Sequence, residues 1–207
     1  RGSLDLNYPQ MPRHDLHELE LIFTEEQVWK LNKEIPADRA PGPDGFIGAF
    51  YHIAWPVIKG DIMAALLKLF VGDGRGFHKL NGAHIILIPK KSEAMEVGDY
   101  RPISLPHSFS KLFAKLLAVR VCPRMSEIIE INQSTFIKGR NIHDNFLLVR
   151  QVARKLRERK EKGLFLKLDI SKAFDSLSWP FLMEVLQAKG FSQRWITWIS
   201  LLLQSAN

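Results

Sequence analysis

Cysteine is almost missing from this chain, and so are long hydrophobic runs. Its 207 residues include one cysteine, Cys122, so no disulfide framework can form within the chain. This favours a reducing, intracellular compartment, with nucleus and cytoplasm as open alternatives. No apolar run approaches the roughly 18 residues of a membrane span, so we expect no membrane partner.

The motifs of several enzyme classes are missing as well. The seven histidines never combine with cysteine or acidic residues at the spacing of a zinc site. The Gly-x-Ser-x-Gly turn of serine hydrolases does not occur, and there is no internal repeat or low-complexity tract. These absences argue against a zinc enzyme, a serine hydrolase and a repeat protein.

Positive charge, in contrast, is in excess. The formal net charge is +7, which indicates either a polyanionic partner such as nucleic acid or a generically basic protein. Seven basic residues and two acids lie between Arg150 and Lys162. That segment predicts a solvated helix face or a contact with a phosphate backbone.

The hydrophobic pattern predicts an α+β fold that is mostly helical with one β-hairpin. Ala83–Pro89 and Tyr100–Leu105 have the composition of two paired strands, with Pro102 favouring an edge position. Residues 1–23 are expected to form an extended arm. Capping residues and apolar periodicity predict helices after Thr24, over Phe46–Trp55, Val57–Val71 and Ser108–Val121, after His143, from Ser178 and after Ser192.

Two of these helices carry strongly apolar faces. The helix after His143 is expected to bury a stripe that includes Phe146, Val149 and Val152. The last helix is so apolar that we expect it to need a covering partner. Because the chain also begins at Arg1 instead of methionine, we expect a piece of a longer polypeptide, with poor folding of the isolated chain as one alternative.

Candidate functional groups occur at three places. The apolar run Leu164–Leu168 predicts a short buried strand that ends on Asp169, a carboxylate that either holds a metal ion or caps a turn. Lys90, Lys91 and Arg101 flank the hairpin loop and could clamp a triphosphate, or be ordinary surface cations. Pro41–Gly45 predicts a rigid loop, either functional or an ordinary tight turn.

Five stretches, taken together and in order, resemble one family. Their sequence and spacing are similar to the fingers and first palm motif of a non-LTR (LINE-type) retrotransposon reverse transcriptase, of the kind abundant in plant genomes. The resemblance covers Thr24 to Asn207 and implies a right-hand polymerase fold, with 24–162 as a fingers-like region and 163–207 as a partial palm. The stretches are Ala40–Phe46, Ile86–Lys91, Tyr100–Leu105, Gln133–Arg140 and Phe165–Asp175.

The resemblance implies roles for individual residues. Asp169 would be a ligand of two catalytic Mg²⁺ ions, with the carbonyl of Ile170 assisting and Asp175 structural. Phe174 would be the steric gate against a ribose 2′-hydroxyl, or would pack in a core. The implied nucleotide contacts are Lys90, Arg101, Ser171, Lys172, Ala173 and Phe174, and the implied template contacts are Lys91, Gln133, Phe136, Gly139 and Arg140.

The chain also departs from the family pattern. The aromatic-Ala-Asp-Asp strand that supplies further metal ligands is absent, and Pro106 is unusual. The implied partners are an RNA template, a DNA primer, dNTPs and the missing remainder of palm and thumb. We therefore expect the chain alone to be inactive. A non-catalytic nucleic-acid-binding module and a small Mg²⁺ phosphotransferase built on Asp169 are the alternatives.

Overall fold

Ten helices and one antiparallel hairpin make up the described part of the chain. The structure, a computed structural model, describes residues 12–170 and 173–204, apart from the side chain of Phe174. Three short 3-10 turns lie at His17–Glu20, Val97–Asp99 and Cys122–Arg124. In chain order the elements are α1 (Glu25–Lys33), α2 (Gly48–Ile53), α3 (Trp55–Phe70), α4 (Phe77–Leu80), β1 (Ala83–Pro89), β2 (Tyr100–Pro106), α5 (Ser108–Val121), α6 (Met125–Ile128), α7 (Ile142–Glu158), α8 (Ala173–Ser176), α9 (Trp179–Ala188) and α10 (Gln193–Gln204).

Local sequence signals explain where several helices begin. The Thr24 hydroxyl accepts a hydrogen bond from the backbone N–H of Gln27 at 3.2 Å, and the Gln27 side chain accepts one from the Thr24 N–H at 3.4 Å. This reciprocal pair is the predicted capping box at the start of α1. α5 occupies the predicted range Ser108–Val121. No helix in the described residues has both the length and the apolar character needed to cross a membrane.

The predicted hairpin is confirmed. β1 and β2 pair from Ala83 opposite Pro106 to Pro89 opposite Tyr100. These are the only two strands in residues 12–170 and 173–204, so both are edge strands. An edge strand tolerates the missing N–H of Pro102. Most residues of both strands are exposed, which means that the hairpin projects from the helical body.

The hydrophobic core is built around aromatic rings. Phe113 of α5 and Trp198 of α10 are fully buried. The ring of Phe23 lies 5.5 Å from that of Trp198 and 6.1 Å from that of Phe113, so the segment before α1 is part of the core. Leu16 and Leu19 are buried with it. The described end of the expected extended arm is therefore packed, with a 3-10 turn at His17–Glu20.

The last helix is covered in part by the chain itself, whereas Leu201, Leu202 and Leu203 are half-buried. Trp195, Ile196 and Trp198 are all buried, and the indole N–H of Trp198 donates to the carbonyl of Leu69 at 2.8 Å. Just before α10, the carbonyl of Lys189 accepts a hydrogen bond from the His14 N–H at 3.0 Å. The N-terminal segment and the last helix thus close the core together.

Two other predictions are wrong. Residues 161–170 form no strand, and the side chains from Leu164 to Leu168 are exposed. A strand exists only by pairing with another strand, and the described residues offer none beside this segment. The predicted core stripe of α7 is also exposed, with 66% of Phe146 accessible and no residue of the helix buried.

Candidate active site

The acidic motif lies in an open segment of the chain. Asp169 is exposed and sits in residues 161–170, which have no regular structure, and Ile170 beside it is 73% exposed. Ala173 opens the short helix α8, where Asp175 is also exposed. The predicted nucleotide contacts Ser171 and Lys172, and the side chain of Phe174, lie outside the described residues.

The described residues do not form a metal centre around Asp169. A divalent oxygen-ligand site needs several oxygen donors that converge on one point. Among residues 12–170 and 173–204, the group of three potential ligands that converges is Asp15, His17 and Glu18, far from Asp169 in sequence. Its members already have partners, since a 2.9 Å hydrogen bond with His17 lowers the pKa of Asp15 and the same contact raises the pKa of His17, while Glu18 pairs with Arg124.

The hairpin presents its cations at the end away from the helical body. Lys90 follows β1 directly, and Arg101 pairs with Ile88 near the same end. The Lys90 ammonium donates to the carbonyl of Gly98 at 2.7 Å, and Lys91 forms a 2.7 Å ion pair with Asp99.

The hairpin cations differ in whether they have a partner within the chain. The Lys91 contact is the main reason that the pKa of Asp99 is lowered. Arg101 makes no side-chain hydrogen bond or ion pair with any described residue. Of the three side chains, Arg101 is therefore the one whose cationic group is open to an anionic ligand.

The loop Gln133–Arg140 is organised by its last residue. The guanidinium of Arg140 donates to four backbone carbonyls at 2.6–2.9 Å. Gln133 donates its side-chain amide to the carbonyl of Thr135, within the same loop. Phe136 stands at a left-handed φ of 65° with 91% of its surface exposed, and Gly139 has a φ of 85°. The acceptors of Arg140 are the carbonyls of Ser126, Ile129, Glu130 and Gln133.

Arg140 therefore shapes the loop, whereas Phe136 projects from it. An exposed aromatic ring in the left-handed region is uncommon, since a side chain larger than that of glycine is strained there. Such a ring offers a free face on which a nucleic-acid base can stack. The loop thus combines a fixed frame with one accessible stacking surface.

The loop Pro41–Gly45 is held by one carboxylate. Asp44 accepts hydrogen bonds from the Phe46 N–H at 3.3 Å, the Tyr51 hydroxyl at 3.2 Å and the Ser108 N–H at 3.3 Å. His107 lies 3.4 Å away, and both side chains of this pair are largely buried. Sequence reasoning identified this loop but missed its Asp44, because its partners are distant in the sequence.

The basic helix α7 supplies a second cationic surface. Arg150, Arg154 and Arg157 line an open groove of about 450 Å³ together with Leu147 and Gln151. Arg154 forms an ion pair with Glu158 at 3.4 Å, and the helix is exposed along its length. Arginines spaced by three and four residues share one face, which suits a run of phosphates.

The structure thus brings some of the sequence-predicted residues together. The second and third of the five similar stretches pair with each other in the hairpin. The Pro41–Gly45 loop of the first stretch contacts Pro106 and Ser108, just beyond the third stretch. No hydrogen bond or ion pair between described residues connects Asp169 to the hairpin cations or to the Gln133–Arg140 loop.

Known proteins match this chain along most of its length. The reverse transcriptase (RNA-dependent DNA polymerase) family matches residues 88–207. An uncharacterized 149 kDa protein of transposon TX1 from Xenopus laevis is 29% identical over 91% of this chain and 14% of its own length. The Retrovirus-related Pol polyprotein from type-2 retrotransposable element R2DM of Drosophila melanogaster is 27% identical over 84% of this chain and 17% of its own length.

A further relative agrees with these two. The Retrovirus-related Pol polyprotein from type-1 retrotransposable element R2 of Nasonia vitripennis is 27% identical over 81% of this chain and 16% of its own length. The chain therefore spans less than a fifth of the length of these curated relatives. Together the matches show that the chain belongs to the reverse transcriptase family, as a non-LTR retrotransposon reverse transcriptase.

Proposed function

We propose that this chain is the fingers and the first palm motif of an RNA-directed DNA polymerase that copies an RNA template from a DNA primer. The observation that carries the proposal is the projecting hairpin, which presents Arg101, Lys90 and Lys91 at its free end. Clustered cations on an exposed hairpin suit the triphosphate of an incoming nucleotide. The family match includes this end of the hairpin and the segment of Asp169, which supports assigning both to one site.

The proposed division of labour follows the elements. Residues 24–162 would form the fingers, with residues 1–23 as an N-terminal arm, and residues 163–207 would begin the palm of a right-hand polymerase. The exposed apolar side chains of residues 164–170 support the palm assignment, since they suit a strand of a larger sheet. In that sheet, Asp169 would stand at a strand end.

Family membership implies a divalent metal, typically Mg²⁺. We propose Asp169 and the carbonyl of Ile170 as ligands. The described residues do not complete the set, because none of their groups of three or more converging side-chain ligands includes Asp169. The metal centre would therefore need ligands beyond those described.

Nucleotide and template would occupy different faces of the site. Arg101, Lys90 and the backbone from Ser171 to Phe174 would hold the dNTP, with Phe174 as the steric gate. Lys91, Gln133, Phe136 and Gly139 would contact the template, and Arg140 would shape their loop through its four carbonyl contacts. The exposed ring of Phe136 supports a stacking role.

The first prediction is that this chain alone extends no primer. On an RNA template with an annealed DNA primer, Mg²⁺ and dNTPs, we expect no detectable incorporation, because Asp169 belongs to no group of three or more converging ligands among the described residues. Denaturing gel electrophoresis of a labelled primer measures this. Mg²⁺-dependent extension by the wild type that disappears in Asp169→Ala would contradict the prediction.

The alternative function, a non-catalytic nucleic-acid-binding module, is favoured by the arginine-lined groove on α7. Fluorescence anisotropy with the same template–primer duplex separates the two. If the chain is a binding module, its affinity for the duplex should fall steeply with salt and should not change when dNTPs are added. If it is part of a polymerase, dNTPs should raise that affinity. In either case, Arg154→Gln should lower the slope of log affinity against log salt concentration by about one unit. This variant therefore tests whether α7 contacts the phosphates of the duplex.

A further inference from the structure

The hairpin is held to the body at its base. Both strands are exposed over most of their length, so neither face packs on the helices. The base lies where Ala83 pairs with Pro106, and the cationic end lies where Pro89 pairs with Tyr100. Contacts at the base therefore determine the direction in which the hairpin projects.

His107 joins both strands of the base to the helical body. Its backbone N–H donates to the carbonyl of Gly82, the residue before β1, at 3.4 Å. Its imidazole Nδ1 lies 3.4 Å from a carboxylate oxygen of Asp44, and it directly follows Pro106 at the end of β2. One residue thus connects the start of β1, the end of β2 and the Pro41–Gly45 loop.

Asp44 fixes this junction from the side of the loop. The oxygen that faces His107 also accepts from the Ser108 N–H and the Tyr51 hydroxyl. Ser108 in turn donates its hydroxyl to the carbonyl of Phe46 at 3.5 Å. The start of α5, the loop and α2 are therefore tied to one carboxylate, of which 15% of the side-chain surface is exposed.

The backbone of the loop touches the hairpin base directly. A Cβ added at Gly42 would lie 2.4 Å from the Pro106 carbonyl oxygen and 2.8 Å from the His107 nitrogen. Only a residue without a side chain permits this approach. Gly45 closes the turn at a φ of 72°, with its N–H donating to the Gly42 carbonyl at 3.0 Å.

We infer that Asp44 is a positioning residue, which sets the angle between the hairpin and the helical body and thereby the location of Arg101 and Lys90. The hairpin angle determines where these two cations lie. That the cations bind a nucleotide rests on the proposed function. Seven paired residues make a lever of about 20 Å. A tilt of about 10° at the base moves the cations by about 3.5 Å, more than the roughly 0.5 Å that a binding site tolerates.

A distance measurement on this chain tests the inference. Cys122, the single cysteine, is exposed beyond the end of α5, and Glu93 is exposed in the hairpin loop. Spin labels on Cys122 and on Glu93→Cys report the hairpin angle by double electron–electron resonance. We expect one narrow distance distribution in the parent and a distribution at least twofold broader after Asp44→Ala.

Matched variants separate positioning from a general loss of stability. Asp61→Ala removes an exposed acid of α3 that makes no ion pair with a described residue, and it should leave the distribution narrow. Asp44→Asn keeps an acceptor for the Ser108 N–H and should broaden the distribution less than Asp44→Ala. Circular dichroism melts identify a variant that fails to fold.

Gly42→Ala tests the same junction without touching the carboxylate. The added methyl group must displace the hairpin base, so the distance should shift or broaden, whereas Gly60→Ala, with open space around its Cβ, should not change it. A narrow, unshifted distribution in folded Asp44→Ala would overturn the inference, and the same result in Gly42→Ala would overturn it if Asp44→Ala does not fold.

A binding titration keeps this result separate from the proposed function. Calorimetry with dTTP on the parent and on Arg101→Gln tests whether the hairpin holds a nucleotide. If Arg101→Gln binds dTTP as the parent does, the proposed nucleotide contact is wrong, while the distance data still decide the role of Asp44. If Arg101 binds the nucleotide and Asp44 positions the hairpin, Asp44→Ala should weaken dTTP binding severalfold even though Arg101 is intact.

Discussion

Tyr51 shows how one buried polar contact changes the chemistry of a side chain. Burial of the phenol, and secondly the neighbouring Asp44 carboxylate, raise its pKa to about 12. The charged phenolate would lose hydration and face a negative charge, so the neutral form is favoured. The hydrogen bond to Asp44 therefore persists throughout the neutral range.

This predicts a specific alkaline titration. Because the folded pKa of Tyr51 is raised above the unfolded value of about 10, its contribution to stability is complete below pH about 10. That contribution is lost as the pH rises towards about 12. The difference in absorbance at 295 nm between the wild type and Tyr51→Phe should show one phenol that ionises near pH 12.

The control for this titration is Asp44→Asn. Removing the negative charge should lower the midpoint of the Tyr51 phenol, although burial keeps it above the ordinary value. A difference titration centred at pH 10 in the wild type would contradict the contact between Tyr51 and Asp44.

Helices α5 and α7 differ in what their apolar faces contact. In α5 the predicted stripe is buried, and Phe113 has no accessible surface. In α7 the stripe has the same periodicity, yet Phe146 and Val149 are exposed. The period of a sequence identifies the apolar face of a helix, and it does not identify what covers that face.

Substitutions in these two helices should therefore have unequal effects. Phe113→Ala is expected to lower the free energy of unfolding by about 3–5 kcal/mol, the usual cost of deleting a buried ring. Phe146→Ala should change it by less than about 0.5 kcal/mol, as is typical of exposed sites. Urea melts of both variants followed by circular dichroism measure the difference, and equal losses would show that α7 is packed in solution.

Elements set by local signals were predictable from the sequence, and those set by distant partners were not. The capping box at Thr24, the bounds of α5 and the two strands of the hairpin all depend on neighbouring residues, and all are confirmed. The prediction of a strand before Asp169 was wrong because a strand needs a partner strand, which its own residues do not specify. Asp44 was missed for the same reason, since Ser108 and His107 lie far along the chain.

The whole molecule depends on the contact between its first and last described segments. Trp198 of α10 packs on Phe23, Phe70 and Phe113, with ring centroids 5.5–6.5 Å apart. Its indole N–H is satisfied by the carbonyl of Leu69. The last helix is thus a structural part of the same core as α1, α3 and α5.

Replacing Trp198 should accordingly destabilise the entire fold. Trp198→Ala is expected to cost about 3–5 kcal/mol and to lower the midpoint of one cooperative thermal transition. Trp179→Ala, which removes a ring that is 44% exposed in α9, should have a much smaller effect. If Trp198→Ala melts at the wild-type temperature, α10 does not belong to the core.

The pairing of His14 with Lys189 and of Phe23 with Trp198 also bears on biosynthesis. A ribosome releases the N-terminal segment first, but the rings that complete its packing come from a helix translated near the end of the described chain. Contacts so distant in sequence form slowly, because a long loop must close before they are made. The nascent polypeptide therefore carries this apolar surface unsatisfied until α10 has been translated, an interval in which chaperones have the opportunity to act.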